Sequence, residues 1–216
     1  MHMKSVKTLL VTMALAVSGS FGAYAQLTAS DAFVSAPAAV FPLLNNSTRL
    51  DMIDYFNSGS STTSTNALKG KSRIVSLETS KLSIDMTDAS SYELVILPKK
   101  GGGSLIGLIS TVATPAPDSN LGVYSDDWKS NITETVFKKP VLVDWLSAEG
   151  KKNKDEVEML VPFLLISYDF DPKSGVLTLT NNTKQFLSED VYSIVSPYFL
   201  PSLKYKWDGK AFSALK

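Results

Sequence analysis

The rhythm of apolar and polar residues changes along the chain. Residues 31–57 are spaced as helix. A short turn starts at Asp31-Ala32-Phe33-Val34, Pro37 interrupts it, and Pro42 breaks the next apolar run. In the segment NNSTRLDMIDYFNSG, Ser47 is the expected N-cap. Leu50, Ile53 and Phe56 recur at spacing three as one apolar stripe, and Gly59 supplies a stop. Residues 58–66 (SGSSTTSTN) form a polar, low-complexity loop with little to bury.

From residue 73 the period shortens towards two. Arg73 to Leu77, Leu82 to Met86, Tyr92 to Leu97, Leu105 to Ala113 and Leu121 to Tyr124 read as strands. Pro98-Lys99-Lys100-Gly101-Gly102-Gly103 reads as the turn of a hairpin, so an antiparallel meander is expected. Val141 to Leu146 fits a helix or a buried strand. Asp155 to Val161 fits a short helix with Val157, Leu160 and Val161 inward, ended by Pro162. Phe163 to Phe170 and Val176 to Thr180 flank a DPKSG turn. Ser188 can cap a helix with Val191, Ile194 and Val195 inward. Leu203, Tyr205 and Trp207 alternate with Lys204 and Lys206, and Asp208-Gly209 signals a type I′ turn returning through Ala211 and Phe212. Hairpins with separate helices give an α+β class: antiparallel sheets of meander hairpins with a few short packing helices.

The first 25 residues change what the composition means. MHMKSVKTLLVTMALAVSGSFGAYAQ has a positive start at Lys4 and Lys7, an apolar stretch from Leu9 to Val17, and an A-x-A site at Ala23-Tyr24-Ala25. It reads as a signal peptide, residues 1–25, cleaved before Gln26, followed by a single α+β domain over 26–216. The apolar run is too short for the roughly 20 residues a membrane-spanning helix needs, and no later stretch comes closer. Of the 216 residues, 21 are basic and 21 acidic, with one His and no Cys. Cleavage would remove Lys4, Lys7 and His2, leaving 191 residues with 19 basic against 21 acidic side chains.

A mature chain without His or Cys has no Ser-His-Asp or Cys-His machinery, no zinc site of the Cys/His kind and no disulfide. Its charge balance lacks the basic footprint of a nucleic-acid binder. The remaining candidates are carboxylates. Asp51 and Asp54 sit three apart on the expected helix, beside Arg49, and Asp126-Asp127 precede Trp128. Each has a plain structural alternative: a solvated helix face for the first pair, a cap for the second, a core position for Trp128. Asp169-Phe170-Asp171 opens like a calcium loop, but Lys173, Ser174 and Thr180 stand where a ligand, the glycine and the closing glutamate belong. A hairpin turn accounts for those residues. The lysines and glycines at 99–103 are not a P-loop. Asn46-Ser47-Thr48, Asn131-Ile132-Thr133 and Asn181-Asn182-Thr183 fit the glycosylation sequon, a triplet that often arises by chance and means little if the host is bacterial.

Several strings together resemble a family of exported Bacteroidales proteins, domain-of-unknown-function family 3256. They are Phe41-Pro42-Leu43-Leu44, Arg49 to Phe56, Asn66-Ala67-Leu68-Lys69-Gly70, Leu97-Pro98, Asp127-Trp128, and Leu203 to Trp207 with Phe212. The resemblance implies a Gram-negative host and a periplasmic or outer-surface location, and it carries no catalytic residue.

The expectation is an exported soluble protein, a non-catalytic binding or assembly module of the cell envelope. It needs no cofactor or metal. Its partner would be an envelope protein or a glycan, not nucleic acid, and the mature chain would have no membrane span. One rival is a carboxylate-based hydrolase of glycans using Asp51, Asp54, Asp126 and Asp127, so enzymatic activity stays open although the missing His and Cys weigh against it. The other is a calcium-dependent glycan-binding or adhesion module. For a binding module, Trp128 is the candidate ligand surface.

Overall fold

The computed structural model describes residues 26–215, so the expected signal segment at 1–25 lies outside the described residues. Ten antiparallel strands form two meander sheets, confirming the α+β class. The larger sheet runs in chain order through β1 (Ser64–Thr65), β2 (Lys71–Leu77), β3 (Lys81–Thr87), β4 (Ser90–Pro98), β5 (Ser104–Val112) and β6 (Asp118–Ser125). The smaller holds β7 (Ile166–Asp171), β8 (Val176–Asn181), β9 (Ser202–Trp207) and β10 (Phe212–Ala214), again as sequential neighbours. Short helices complete the chain: α1 (Ala29–Ser35), α2 (Asn46–Asn57), α3 (Thr133–Val136), α4 (Lys154–Leu160) and α5 (Glu189–Val195).

The larger sheet is covered on both faces. On one side α1, α2 and the turn between them bury Leu82, Ile84 and Met86 of β3, Leu94 and Ile96 of β4, and Ile106 of β5. On the other, the smaller sheet packs against Val95 and Leu97 of β4, Ile109 of β5, and Leu121 and Val123 of β6. Burial on both faces makes the centre of β4 a continuous apolar run, Leu94 to Leu97, where a half-buried strand would alternate. The apolar contacts of the smaller sheet lie on β4–β6, and on the same face β3 presents the polar Lys81, Ser83 and Asp85, with Lys81 reaching β7. A third, small cluster lies under α4 and α5 and holds Leu146, Val157, Val161 and Val195.

The two sheets are also clasped at their turns. The Lys100 amide donates to the Gly209 carbonyl at 2.9 Å, and Trp207 Nε1 donates to the Pro98 carbonyl at 2.7 Å. Gly209 has φ +89°, and a Cβ there would stand 2.8 Å from the Lys100 nitrogen. Both the left-handed backbone and the close approach call for glycine.

Several local expectations need correction. Asn45, not Ser47, caps α2, its Oδ1 accepting from the Thr48 amide at 2.8 Å. The inward stripe of α2 is Arg49, Met52, Ile53 and Phe56, while Leu50 is 45% exposed. That stripe has the full helical spacing, and the arginine at its head hides it from a hydrophobicity pattern. Part of the polar loop is ordered as β1, pairing with Lys71 and Ser72. Val141 to Leu146 contains a short 3-10 turn at Leu142–Trp145. The strand expected from Phe163 starts at Ile166, since Phe163 lies exposed. In α5 only Val195 is buried and Ile194 faces outward. The return to β10 is a four-residue loop. Asp208 has no positive φ, as a type I′ turn would require, and its Oδ1 instead accepts from the Lys210 and Ala211 amides.

Candidate functional site

The carboxylates singled out by sequence do not converge on a cleft. Asp51 and Asp54 are exposed on the outer side of α2 and line none of the cavities described below. Asp126 is exposed on the turn after β6. Asp127 holds that turn together: its Oδ1 accepts from the Ser125 hydroxyl at 2.6 Å and the Lys129 amide at 3.1 Å, and Oδ2 meets Lys129 Nζ at 2.9 Å. The Ser125 hydroxyl, then Lys129, hold its carboxyl well below the usual carboxylate range.

Trp128 is only 6% exposed, at φ +64°. Its indole N–H donates to the Ala32 carbonyl at 3.0 Å, and its ring meets Tyr124 and Phe41 at centroid distances of 5.1 and 6.4 Å. The expected ligand platform at Trp128 is therefore corrected to a core anchor that ties the β6 turn to α1. Trp145 and Trp207 are buried as well. At the calcium-like loop, Asp171 accepts from the Lys173 and Ser174 amides while Asp169 contacts Lys81, an ordinary turn beside an ion pair. Among the described residues no three His, Cys, Asp or Glu side chains are placed to hold a metal ion.

Two arrangements that no motif signalled are present. The first is an ion cluster at the rim of the inter-sheet core. Lys81 Nζ of β3 lies 3.1 Å from Glu93 Oε2 of β4 and 3.0 Å from Asp169 Oδ1 of β7, and donates to the Phe170 carbonyl at 2.9 Å. The Glu93 oxygen faces the ammonium as a charge contact without an aligned hydrogen bond. Burial pushes the Glu93 carboxyl up against the pull of Lys81. For Lys81, burial works downward, but Glu93 and Asp169 together outweigh it and the net shift is upward.

The second is a groove where the sheets meet edge to edge. β6 and β7 are edge strands of different sheets, and side chains stitch them where a backbone ladder would otherwise run. The Ile166 amide donates to Asp118 Oδ1 at 3.0 Å, the Tyr168 amide to Ser119 Oγ at 3.1 Å, and Asn182 Nδ2 to the Pro117 carbonyl at 2.8 Å. Beside this seam the chain leaving α3 raises Lys138, Lys139 and Pro140 as an outer wall.

The groove has two chambers. One, of about 260 Å³, has walls of Leu142, Trp145, Phe163 and Ile166, with Asp118 at its rim. The other, of about 380 Å³, is lined by Asn120, Thr133, Glu134 and Lys138 over Leu121 and Phe137. Tyr168 and Lys139 line both. Each volume is at the small end for ligand pockets, which run from about 300 to 1,000 Å³. Neither Lys138 nor Lys139 is ion-paired among the described residues. The Tyr168 phenol has no hydrogen-bond partner among them, and burial, then Asp118 and Tyr205, push it up to about 12. At neutral pH it is therefore a protonated donor.

The groove sets polar groups beside an apolar recess. It offers donors at Lys138, Lys139 and Tyr168, acceptors at Asp118 and Glu134, and an apolar recess. Its two acids line different chambers. The sequence signal for it was slight: Lys138-Lys139 sits 29 positions from Tyr168, and nothing in either segment announces the other.

Comparison with known proteins adds a family. The model for "Protein of unknown function (DUF3256)" matches residues 21–212. The chain belongs to the DUF3256 family. No curated protein matches the sequence. Among solved structures, a domain of an uncharacterized protein from Porphyromonas gingivalis W83 superposes with a TM-score of 0.75 at 18% identity, over 85% of this chain and 97% of that one. At that identity the likeness is one of fold. The strings that carried the DUF3256 resemblance serve packing: Phe41, Arg49, Leu97, Trp128, Trp207 and Phe212 are all buried. No helix among the described residues is long and apolar enough to cross a membrane.

Proposed function

We propose that this DUF3256 protein is an exported, non-catalytic binding module of a Gram-negative cell envelope, with the junction groove as its ligand site. The observation that carries the binding role is the groove itself: a phenol hydroxyl without a partner, at the surface of the groove, and two unpaired lysines stand beside an apolar recess. Unpaired polar groups that converge on a concave, partly apolar surface are the usual signature of a recognition site. Export rests on the residue pattern at 1–25, and the envelope on the family resemblance. Asp51, Asp54, Asp126 and Asp127 are exposed and line neither chamber, which supports a non-catalytic role, since glycoside hydrolysis needs two acids facing one cleft about 5–10 Å apart.

The test is capture from the envelope fraction of the producing bacterium, with the wild-type chain and with Lys139→Glu as baits. Lys139 is an exposed position that lines both chambers, so a carboxylate there reverses the charge of the groove without entering a core. The expected result is one or more ligands held by the wild-type chain and lost from the variant at unchanged thermal stability. Identical capture by both baits removes the groove from the reading. Turnover of envelope glycans by the wild-type chain, abolished by Asp51→Asn with Asp54→Asn or by Asp126→Asn with Asp127→Asn, overturns the non-catalytic role.

A further inference from the structure

The groove carries an exposed aromatic ring beside unpaired acids and lysines. We propose that it binds a glycan, with one pyranose ring stacked on Phe163 in the smaller chamber and the next unit laid over Tyr168 into the larger one. This rests on the groove being a ligand site, as proposed above.

The ring comes first. Phe163 lines the smaller chamber and is 46% exposed. Phe186, 42% exposed, lies against it with ring centroids 4.6 Å apart and steadies it. A single exposed apolar side chain is ordinary, but two rings side by side at a concave site make a patch. They are the exposed phenylalanines among the described residues, and they supply the aromatic platform that the buried Trp128, Trp145 and Trp207 do not. One face of a pyranose is lined with C–H groups, which pack on the electron-rich face of an aromatic ring.

The polar lining then suits hydroxyls. Asp118 and Lys139 line the smaller chamber without forming an ion pair, so each keeps capacity for a ligand. A hydroxyl both donates and accepts, so neighbouring hydroxyls on one ring can meet the carboxylate and the ammonium together. The larger chamber repeats the arrangement: Glu134 and Lys138 are also unpaired, with Asn120 beside them over Phe137. Tyr168 stands between the chambers as a donor. Other occupants fit less well. A peptide added as a strand needs free edge amides. Those of Ile166 and Tyr168 are already given to Asp118 and Ser119, and Val123 of β6 is paired with residues 132–133. A fatty acid needs a continuous apolar tunnel, which the polar larger chamber interrupts.

The probes are maltohexaose, chitohexaose and mannohexaose, with dodecanoate and a blocked serine pentapeptide carrying a central phenylalanine as competing classes. Binding to the full chain is followed by calorimetry and by magnetisation transfer from the protein to the sugar protons. The expected result is saturable binding of at least one hexasaccharide, weakened about tenfold or more in Phe163→Ala and retained in Phe163→Trp, with circular dichroism unchanged in both. Lys139→Glu weakens the same binding. Hexasaccharide binding that is indifferent to Phe163→Ala overturns the platform and the placement. Absence of binding by all three hexasaccharides to millimolar concentration overturns the glycan assignment. Binding of dodecanoate or the peptide in their place, sensitive to Lys139→Glu, also overturns it and leaves the groove as a ligand site. Identical envelope capture by wild type and Lys139→Glu overturns the underlying reading as well.

Discussion

The two faces of the large sheet solve the same burial problem in different ways. On the helical face, α1, α2 and the turn at residues 37–44 close over β3–β5 with Phe33, Phe41, Met52 and Trp128. Polar groups there are met by the covering segment's own backbone: Arg49 Nη2 donates to the carbonyls of Val34 and Ala36, and Trp128 Nε1 to that of Ala32. On the sheet face, two rigid layers meet across Leu97, Ile109, Phe137, Tyr168 and Phe170, and polar side chains finish the rim. A helical turn can adjust to a flat surface, and here, among the described residues, a gap of about 430 Å³ lined by Phe56, Gly59 and Ile74 stays open only at the end of α2, beside β2. Two twisted sheets cannot follow each other to their edges, so the seam is completed by Asp118, Ser119 and the Lys81 cluster, with the groove beside it.

The largest expected effects come from removing one ring on each side. Phe41 and Phe170 are 1% and 2% exposed, and replacement by alanine should cost about 3–5 kcal/mol in each case. Phe41 sits among Phe33, Tyr92 and Trp128, and Phe170 packs against Phe212. Chemical denaturation gives the totals, and hydrogen exchange tests the division. Phe41→Ala should speed exchange in α1 and α2, and Phe170→Ala in β7–β10. If both variants loosen both regions alike, the two faces behave as one cooperative unit and the contrast fails.

Arg49 sharpens the helical side. Its guanidinium is buried at 3% exposure without an acidic partner, and Nε and Nη1 have no hydrogen bond. Phe33 and Phe41 lie with ring centroids 5.9 and 5.7 Å from its Cζ. Arg49→Met keeps the packing volume but removes the donor from the Ala36 and Val34 carbonyls. The expected loss is about 1–3 kcal/mol, the cost of leaving buried acceptors unmet. A more stable methionine variant would mean that desolvating the charge outweighs the latch.

What sequence could reveal follows the same contrast. Strands announce themselves by local period, so β2 to β9 are legible, as is the hairpin turn at residues 98–103. The face a helix buries is less legible when a charged residue heads it, which is why Leu50 stood in for Arg49. Least legible is whatever two distant segments make together. Lys81 and Glu93 carry no signal, Asp169 reads as part of a hairpin turn, and Tyr168 as one more strand residue, until β7 is laid beside β6 and over β4. Trp128 shows the reverse error: an aromatic beside two acids suggests a sugar platform, but the turn that Asp127 holds rotates the indole inward.

On the sheet side, Lys81→Met removes the ammonium that bridges β3, β4 and β7. The loss leaves a half-buried Glu93 carboxylate without its counter-charge and the Phe170 carbonyl without its donor. A cost of about 1–2 kcal/mol is expected by denaturation, since the cluster is only partly screened by solvent. A change within about 0.5 kcal/mol would place the rim among ordinary surface pairs, and the sheet face would then rest on apolar packing alone.

The smallest effect is a pH dependence, and its sign is opposite to that of an ordinary salt-bridged acid. Burial raises the Glu93 carboxyl above its ordinary value of 4.5 in the folded chain, despite Lys81. Between that value and the higher folded one, the native state holds a proton that the unfolded chain has lost. Stability from this group therefore falls as pH rises through the window and is recovered on acidification. Asp127, Asp171 and Asp208 work the other way, because turn hydrogen bonds lower them and their contribution disappears as pH falls. The total profile mixes both signs, so the useful quantity is the difference between wild type and Glu93→Gln, measured by denaturation from pH 4 to 7. The wild type should lose ground to the glutamine variant as pH rises above about 4.5, by about 1 kcal/mol or less. A difference that grows in favour of the wild type would mean that Lys81 more than offsets the burial of Glu93, and that the rim of the sheet face stabilises by charge as the helical face does by packing.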